Sequence, residues 1–394
     1  MNPYHEKYLG IKSVDKKSPA FLCPLFAYVV AKKIVNITHK SFFDEFEYKL
    51  GREYAKILCN VQKADSVTGG KAIKSAIEEF ENFGFGRTKI ILISANKILL
   101  KNEFSSIARQ YKKSFESEGK NIDYLLCGIY SGILSSHLDK EIHIKETSCF
   151  AAGNKVCIFE NASGFLNNYP KLSYFIEKII KFHRLDSSFV NYPTPLIKKA
   201  FEQGHFTKKD GMIKLWGIYS VYFKFGFFAF SSHILSKLSK DVTDLYKYIG
   251  MVQSDIAVQF QKNQYGIKEN KEVFNSLLEQ LNLFGYGHGK IEFLGKKKLV
   301  LRFKNIILLK QCTSFMKNFE DPYIEGILVG MSSIFGENIG KIEMSKAKDD
   351  ELLVKIEFKG KGNLYKKITD SIKSNRIKEV VNEKMKHKYY LSPE

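Results

Sequence analysis

The sequence lacks an apolar run long enough for a membrane helix. Its two longest apolar stretches are FLCPLFAYVVA (21–31) and WGIYSVYFKFGFFAF (216–230). Both fall short of the roughly 18–20 residues a crossing helix needs, and Lys224 interrupts the second. The opening MNPYHEKYLGIK has no apolar core of the signal-peptide kind, so a cytoplasmic protein is expected. Acidic residues are the scarcer charge, 42 against 62 Lys and Arg, for a formal net charge of +20. Such an excess favours polyanion partners, nucleic acid or an acidic protein, or anionic membrane surfaces. No run of five or six like charges occurs, however, and scattered lysine also reads as ordinary solvated surface.

Several catalytic signatures are missing as well. There is no CxxC, no HExxH, no Ser-His-Asp or Cys-His order, and no nicotinamide or flavin fingerprint. GFGRTK (84–89) lacks phosphate-loop spacing and precedes a strand, so it reads as a helix stop. VTGGK (67–71) precedes a helix and reads as a loop with a start signal, or as an anion site at a helix N-terminus. No helix-turn-helix pattern supports sequence-specific DNA reading. The six cysteines mostly stand singly in apolar stretches and read as small buried hydrophobes; Cys149 and Cys157 alone lie close together.

Apolar residues make up 44% of the chain and aromatics 14%, with 32 Phe and 21 Tyr, enough for real cores. The organising feature is an internal repeat. FENFGFGRTKII (80–91) matches LNLFGYGHGKIE (281–292), YKLGREYAKIL (48–58) matches KYIGMVQSDIAVQF (247–260), and DYLLCGIYSGILSSHL (123–138) matches DPYIEGILVGMSSIFG (321–336). Three anchors recur in one order at nearly constant offset, which marks a duplicated domain.

Each copy follows one plan. An amphipathic helix (42–60, 239–262) precedes a second (70–83, 269–284) that ends at Gly-aromatic-Gly. Two strands follow (88–94 and 97–103; 289–295 and 298–305). Then comes a helix whose Gly128/Gly132 or Gly326/Gly330 pair is expected to let it pack closely against the sheet, and a closing hairpin (141–160, 340–358). The expected class is α+β, two tandem copies of a mostly antiparallel sheet with helices packed on one face. The boundaries are 1–160 for the first domain, 161–212 for a linker with a possible helix at 171–183 and a breaker-rich NYPTPL at 191–196, 213–358 for the second domain, and 359–394 for a basic tail. Asn363 is placed to cap an amphipathic helix carrying Leu364, Ile368, Ile372 and Val380.

The hairpin around Gly153 carries the chemistry. Cys149 and Cys157 flank Gly153 symmetrically, so they face each other across the strands on one face. Such a pair can bind a soft metal, form a disulfide or pack. Glu146 stands three residues before Cys149, an odd spacing that puts it on the opposite face unless a bulge or twist intervenes.

ETSC (146–149), AAGN (151–154) and CIFE (157–160), after the small-residue helix LLCGIYSGILSSHL, resemble the closing half of the 4-vinyl reductase domain. The resemblance spans most of 20–160 and, more faintly, 213–358. Members include stand-alone archaeal proteins, a bacteriochlorophyll-biosynthesis protein and sensor domains of phenol-responsive transcription activators, with subunits of the TRAPP tethering complex more distantly related in fold. The resemblance implies a zinc held by Glu146, Cys149 and Cys157, with Asp123 standing where the family has a further Cys. Asp123 can ligate zinc or simply cap the helix it begins. A closed four-donor set implies a structural zinc. The family places a small hydrophobic or aromatic ligand between that helix and the sheet, which points here to Phe104, Cys127 and Tyr130; ordinary core is the competing reading. The second copy lacks these thiols, since SKAKDDELLVKIEF (345–358) has none and Cys312 lies outside it. The functional expectation is a non-enzymatic ligand-binding regulator or adaptor. The alternatives are a nucleic-acid-binding protein, a reductase acting on a vinyl or aromatic group, and a scaffold subunit.

Overall fold

The computed structural model describes residues 21–38, 42–64, 69–94, 96–115, 119–163, 202–215, 218–223, 240–264, 266–283, 286–304, 306, 321–335, 339–348, 351–358 and 363–373. The helix expected at 171–183, the NYPTPL stretch, Cys312 and Val380 lie outside them.

The chain divides into two compact units: residues 1–18, 24–187 and 200–222 form unit one, and 19–23, 188–199 and 223–394 form unit two. Strand β1 is Phe21–Pro24. Unit one holds helices α1 (Leu25–Thr38), α2 (Phe42–Ala64) and α3 (Gly69–Asn82), strands β2 (Thr88–Ile93) and β3 (Ile98–Asn102), helices α4 (Ser106–Phe115) and α5 (Tyr124–Leu138), and strands β4 (His143–Ser148) and β5 (Cys157–Ala162). Its sheet has the order β2-β3-β5-β4, antiparallel at every described step. Strands β6 (Phe206–Lys209), β7 (Met212–Leu215) and β8 (Ile218–Phe223) form antiparallel neighbours in sequence order. Residues 206–209 thus form a strand inside the stretch read as a linker, and this strand meander docks on the end of α3: Gly86 N–H donates to Gly211 O at 2.8 Å, and Tyr222 N–H to Phe83 O at 2.7 Å.

Unit two holds α6 (Lys240–Gln264), α7 (Asn270–Leu283), β9 (His288–Gly295), β10 (Lys298–Lys304), α8 (Pro322–Ser332), β11 (Ile339–Lys348), β12 (Glu351–Phe358) and α9 (Leu364–Lys373). Its sheet order is β9-β10-β12-β11, the same arrangement as in unit one. Even an irregularity recurs: the β2–β3 register slips between Ile90 and Leu92, and the β9–β10 register between Ile291 and Phe293. The architecture is the α+β class that the repeat implied.

Burial alternates strictly on β3, where Ile98, Leu100 and Asn102 are buried, and on β10, where Leu299, Leu301 and Phe303 are buried. Period two turns one face of each sheet toward its helices. The tail helix forms as expected, with Asn363 Oδ1 accepting Lys366 N–H at 3.0 Å and Ile368 and Ile372 buried. All five described cysteines are buried free thiols. No helix among the described residues is long and apolar enough to cross a membrane.

One expectation is corrected. The paired glycines of α5 and α8 face a helix, not the sheet. A Cβ on Gly128 would lie 2.1 Å from Tyr48 O, and one on Gly132 2.3 Å from Arg52 O, both on α2. On α8, Gly326 and Gly330 meet Lys247 O and Met251 O of α6 at 1.9 and 2.7 Å in the same sense. Gly51 and Gly250 answer from the opposite helix, against Leu125 O and Tyr323 O. Backbone meets backbone on both sides, so each helix pair closes to a distance that no side chain permits. The sheet-facing positions of α5 are filled by larger groups such as Tyr130, whose ring sits 5.0 Å from that of Phe159 on β5.

Candidate metal centre

The closing hairpin of unit one brings the predicted residues together through an irregularity. Glu146 pairs with Phe159, but the next pair is Ser148 with Ile158, so Thr147 is a bulge. The extra residue turns Glu146 onto the face that Cys149 occupies, which regular alternation forbids. One further step in the Ser148↔Ile158 register puts Cys149 opposite Cys157, as the spacing about Gly153 implied. The turn between them closes on Cys149 O, which accepts Ala152 N–H at 3.1 Å and Asn154 N–H at 3.2 Å, while Gly153 takes φ +98°, where glycine carries no Cβ penalty.

Glu146, Cys149 and Cys157 offer three ligand atoms within 4.8 Å of one another, all three residues buried. This group could hold a metal ion. Glu146 also ties the hairpin to the start of α5. Its Oε2 accepts Ile122 N–H at 2.9 Å and Asp123 N–H at 3.0 Å, and its carbonyl accepts Asn121 Nδ2 at 2.7 Å. Its other oxygen, Oε1, accepts nothing.

Asp123 stands beside this group but outside the mutually close set. Its Oδ2 accepts the Ser105 hydroxyl, and its buried Oδ1 accepts nothing. Its side chain makes no helix-capping hydrogen bond. The second copy shows the contrast. Asp321 Oδ1 accepts Tyr323 N–H at 3.0 Å and Ile324 N–H at 3.4 Å, and its Oδ2 accepts the Tyr286 hydroxyl at 2.9 Å. The same residue at the same point of the fold is therefore a satisfied cap in unit two, and a buried carboxylate with a spare oxygen in unit one. Asp321→Ala removes the cap and strands the buried Tyr286 hydroxyl. We expect a loss of about 1–3 kcal/mol in urea unfolding, whereas Asn, which keeps an acceptor, costs about half as much.

Burial and mutual charge set the protonation of this group. Burial, then the charge of Glu146, pushes the Asp123 carboxyl up to about 7. Burial, then the neighbouring Cys149, drives Glu146 well above the carboxylate range. A hydrogen bond from Cys157 draws Cys149 down to about 7, and the same contact together with burial pushes Cys157 up. Both carboxyls therefore resist ionising, first because a charge in this low-dielectric pocket is poorly solvated and then because negative neighbours repel it. The donor set, soft sulfur with hard oxygen, suits zinc, and the two stranded oxygens are what a cation would satisfy.

The expected ligand-lining residues do not share one environment. Tyr130 is fully buried, its hydroxyl 2.7 Å from Thr88 Oγ1 and 3.4 Å from Asn102 Nδ2. Cys127 is buried on the same helix, one turn earlier. Phe104 is only half-buried and stands between two guanidinium groups, Arg87 at 5.1 Å and Arg109 at 5.2 Å from its ring centre. Motif reading found no trace of these cations, since Arg87, Phe104 and Arg109 come from three separate segments.

No family model matches the sequence, and no curated protein matches it. Among solved structures, the chain is similar to a crystal structure of the phenol-responsive sensory domain of the transcription activator PoxR with phenol. The match has 14% identity and a TM-score of 0.29, and covers 41% of this chain and 82% of that one. A likeness of that size says nothing about what this chain binds.

Proposed function

We propose that this chain is a non-enzymatic ligand-binding regulator or adaptor, with a structural zinc in unit one held by Glu146, Cys149 and Cys157 and completed by Asp123. The observation that supports it is the convergence of two buried free thiols with a buried carboxylate, beside two carboxylate oxygens that accept no hydrogen bond. Bound zinc would supply the charge that this pocket lacks and join four pieces of chain: strand β4 through Glu146, the turn through Cys149, the start of β5 through Cys157, and the start of α5 through Asp123. A set of four protein donors leaves no position for an activated water, which is why the role is structural.

A small hydrophobic or aromatic molecule is the proposed ligand, held between α5 and the sheet on the side of Cys127 and Tyr130. Unit two, whose Asp321 is a cap and whose hairpin has no thiol, is the proposed partner-facing copy. Native mass spectrometry with elemental analysis of the purified chain tests both parts. We expect about one zinc per chain, as a closed four-donor site holds, with additional mass if the ligand co-purifies. Absence of any transition metal from protein purified without chelator would end the zinc reading. Flavin or tetrapyrrole absorbance would instead support the reductase reading.

A further inference from the structure

The surface beside the cluster carries cations and aromatics in alternation. Arg87 lies over Phe104 at 5.1 Å, Arg109 over Phe104 at 5.2 Å and over Phe150 at 4.4 Å, and Lys112 over Phe150 at 4.5 Å. The five side chains form a ladder, Arg87–Phe104–Arg109–Phe150–Lys112, drawn from the start of β2, the end of β3, helix α4 and the hairpin turn. Neither ring is fully buried. Arg87 is paired, with Glu103 at 3.5 Å and Asp210 at 3.4 Å. Glu103 also takes Lys89 at 3.0 Å and Lys101 at 3.1 Å, so one carboxylate is surrounded by three cations. Arg109 and Lys112 have no carboxylate partner among the described residues.

Such a face answers a specific chemistry. Cations without carboxylate partners attract phosphates, as does a chain of net charge +20. Each ring already carries two cations. Stacking a base on a ring is worth more than an exposed cation–π contact, so a base can displace a cation from a ring and free it for a phosphate, and only unpaired strands expose base faces. A duplex or an acidic peptide would use the charges and leave the rings idle. We propose that the ladder of unit one is a binding face for single-stranded nucleic acid. Its Phe150 rung is set by the candidate metal centre's own turn, because Phe150 follows Cys149 and its N–H donates to Cys157 Sγ at 3.3 Å.

The test is fluorescence anisotropy of the full chain with a labelled oligothymidylate of about twenty nucleotides, long enough for several stacked bases. Zinc content is measured on the same samples. We expect salt-sensitive binding, with a log–log slope near −0.7 for each phosphate engaged. Phe150→Ala and Lys112→Glu should each weaken it about tenfold, consistent with loss of one stacked base or reversal of one contact charge. Lys74→Ala, at an exposed lysine outside the ladder, should leave it unchanged. Lys112→Glu keeps the test valid if Phe150→Ala disturbs folding. Three results would overturn the inference: no binding, equal effects of Lys112→Glu and Lys74→Ala, or a duplex or polyglutamate bound as tightly as the single strand. Ladder-dependent binding by zinc-free protein would uphold the inference while removing the zinc reading.

Discussion

Cys157→Ser and Cys149→Ser are each expected to abolish the proposed zinc site of unit one and to lower its melting temperature by roughly 10 °C. A ligand held about 1,000-fold tighter than its free concentration stabilises the native state by about 4 kcal/mol, and a unit of this size converts each kcal/mol into about 2–4 °C. Loss of a direct thiolate donor should weaken metal binding by well over the roughly 10–100-fold typical of outer-sphere changes. Differential scanning calorimetry beside metal analysis checks this. Full zinc occupancy in either variant, with an unchanged transition, would remove both thiols from the site.

The same chemistry sets a pH signature. In metal-free protein, the Asp123 carboxyl sits near 7 because burial and then Glu146 raise it. In the unfolded chain it returns to about 3.9. Between those values the native state binds more protons than the unfolded state, so stability falls as pH rises from about 4 to about 7, by at most about 4 kcal/mol. Glu146 is raised in the same direction and adds to the slope. Zinc reverses the trend, because its ligands must be deprotonated and affinity therefore grows with pH. The stability gap between zinc-loaded and stripped protein should widen from pH 5 to pH 8, and Asp123→Asn should flatten the stripped curve. A stripped protein that gains stability as pH rises across this window would contradict the assignment of a buried, uncompensated carboxylate.

The second large effect concerns the glycine notches. Gly128→Ala would place a Cβ 2.1 Å from Tyr48 O and 2.8 Å from its carbonyl carbon. Gly326→Ala would place one 1.9 Å from Lys247 O. The obstacle in both cases is helix backbone, which has no rotamer to change, so the helices must separate. We expect about 3 kcal/mol or more from either substitution, at the upper end of overpacking costs. Gly70→Ala, with nothing within 4 Å of the added carbon, should be neutral or stabilising by up to about 1 kcal/mol. Release of the proposed zinc during urea unfolding would report on unit one, so Gly128→Ala should bring that release to lower urea. Neutral Gly128→Ala and Gly326→Ala variants would show that the helix pairs have slack.

Much of this was legible in the residues. The repeat anchors implied two sheets of one design, and the sheets share their strand order. The helices at 42–60 and 70–83 and the strands after them followed from apolar period and from the Gly84–Gly86 stop, where both glycines take positive φ, whereas α1 and α4 had no counterpart in the pattern. Symmetry about Gly153 announced the facing of Cys149 and Cys157. The Thr147 bulge was stated only as a condition for Glu146 to join. Whether a strand bulges depends on the twist and length of its neighbour, and β5 comes later in the chain. Strand β6 was hidden because 206–209 forms only beside β7.

What the sequence determined by itself is therefore local and periodic: the helices and strands of the repeated plan, which strand faces are apolar, that the domain is doubled, and which closing hairpin holds thiols. The tertiary structure alone decided which neighbour each surface meets. It set the paired glycines against a helix, left Asp123 uncapped where Asp321 is capped, and gathered Arg87, Phe104, Arg109 and Phe150 from distant segments. The physical reason is that period and propensity act over a few residues, whereas satisfying a buried polar atom, or bringing two backbones into contact, depends on chain that is remote in sequence and adjacent only after folding.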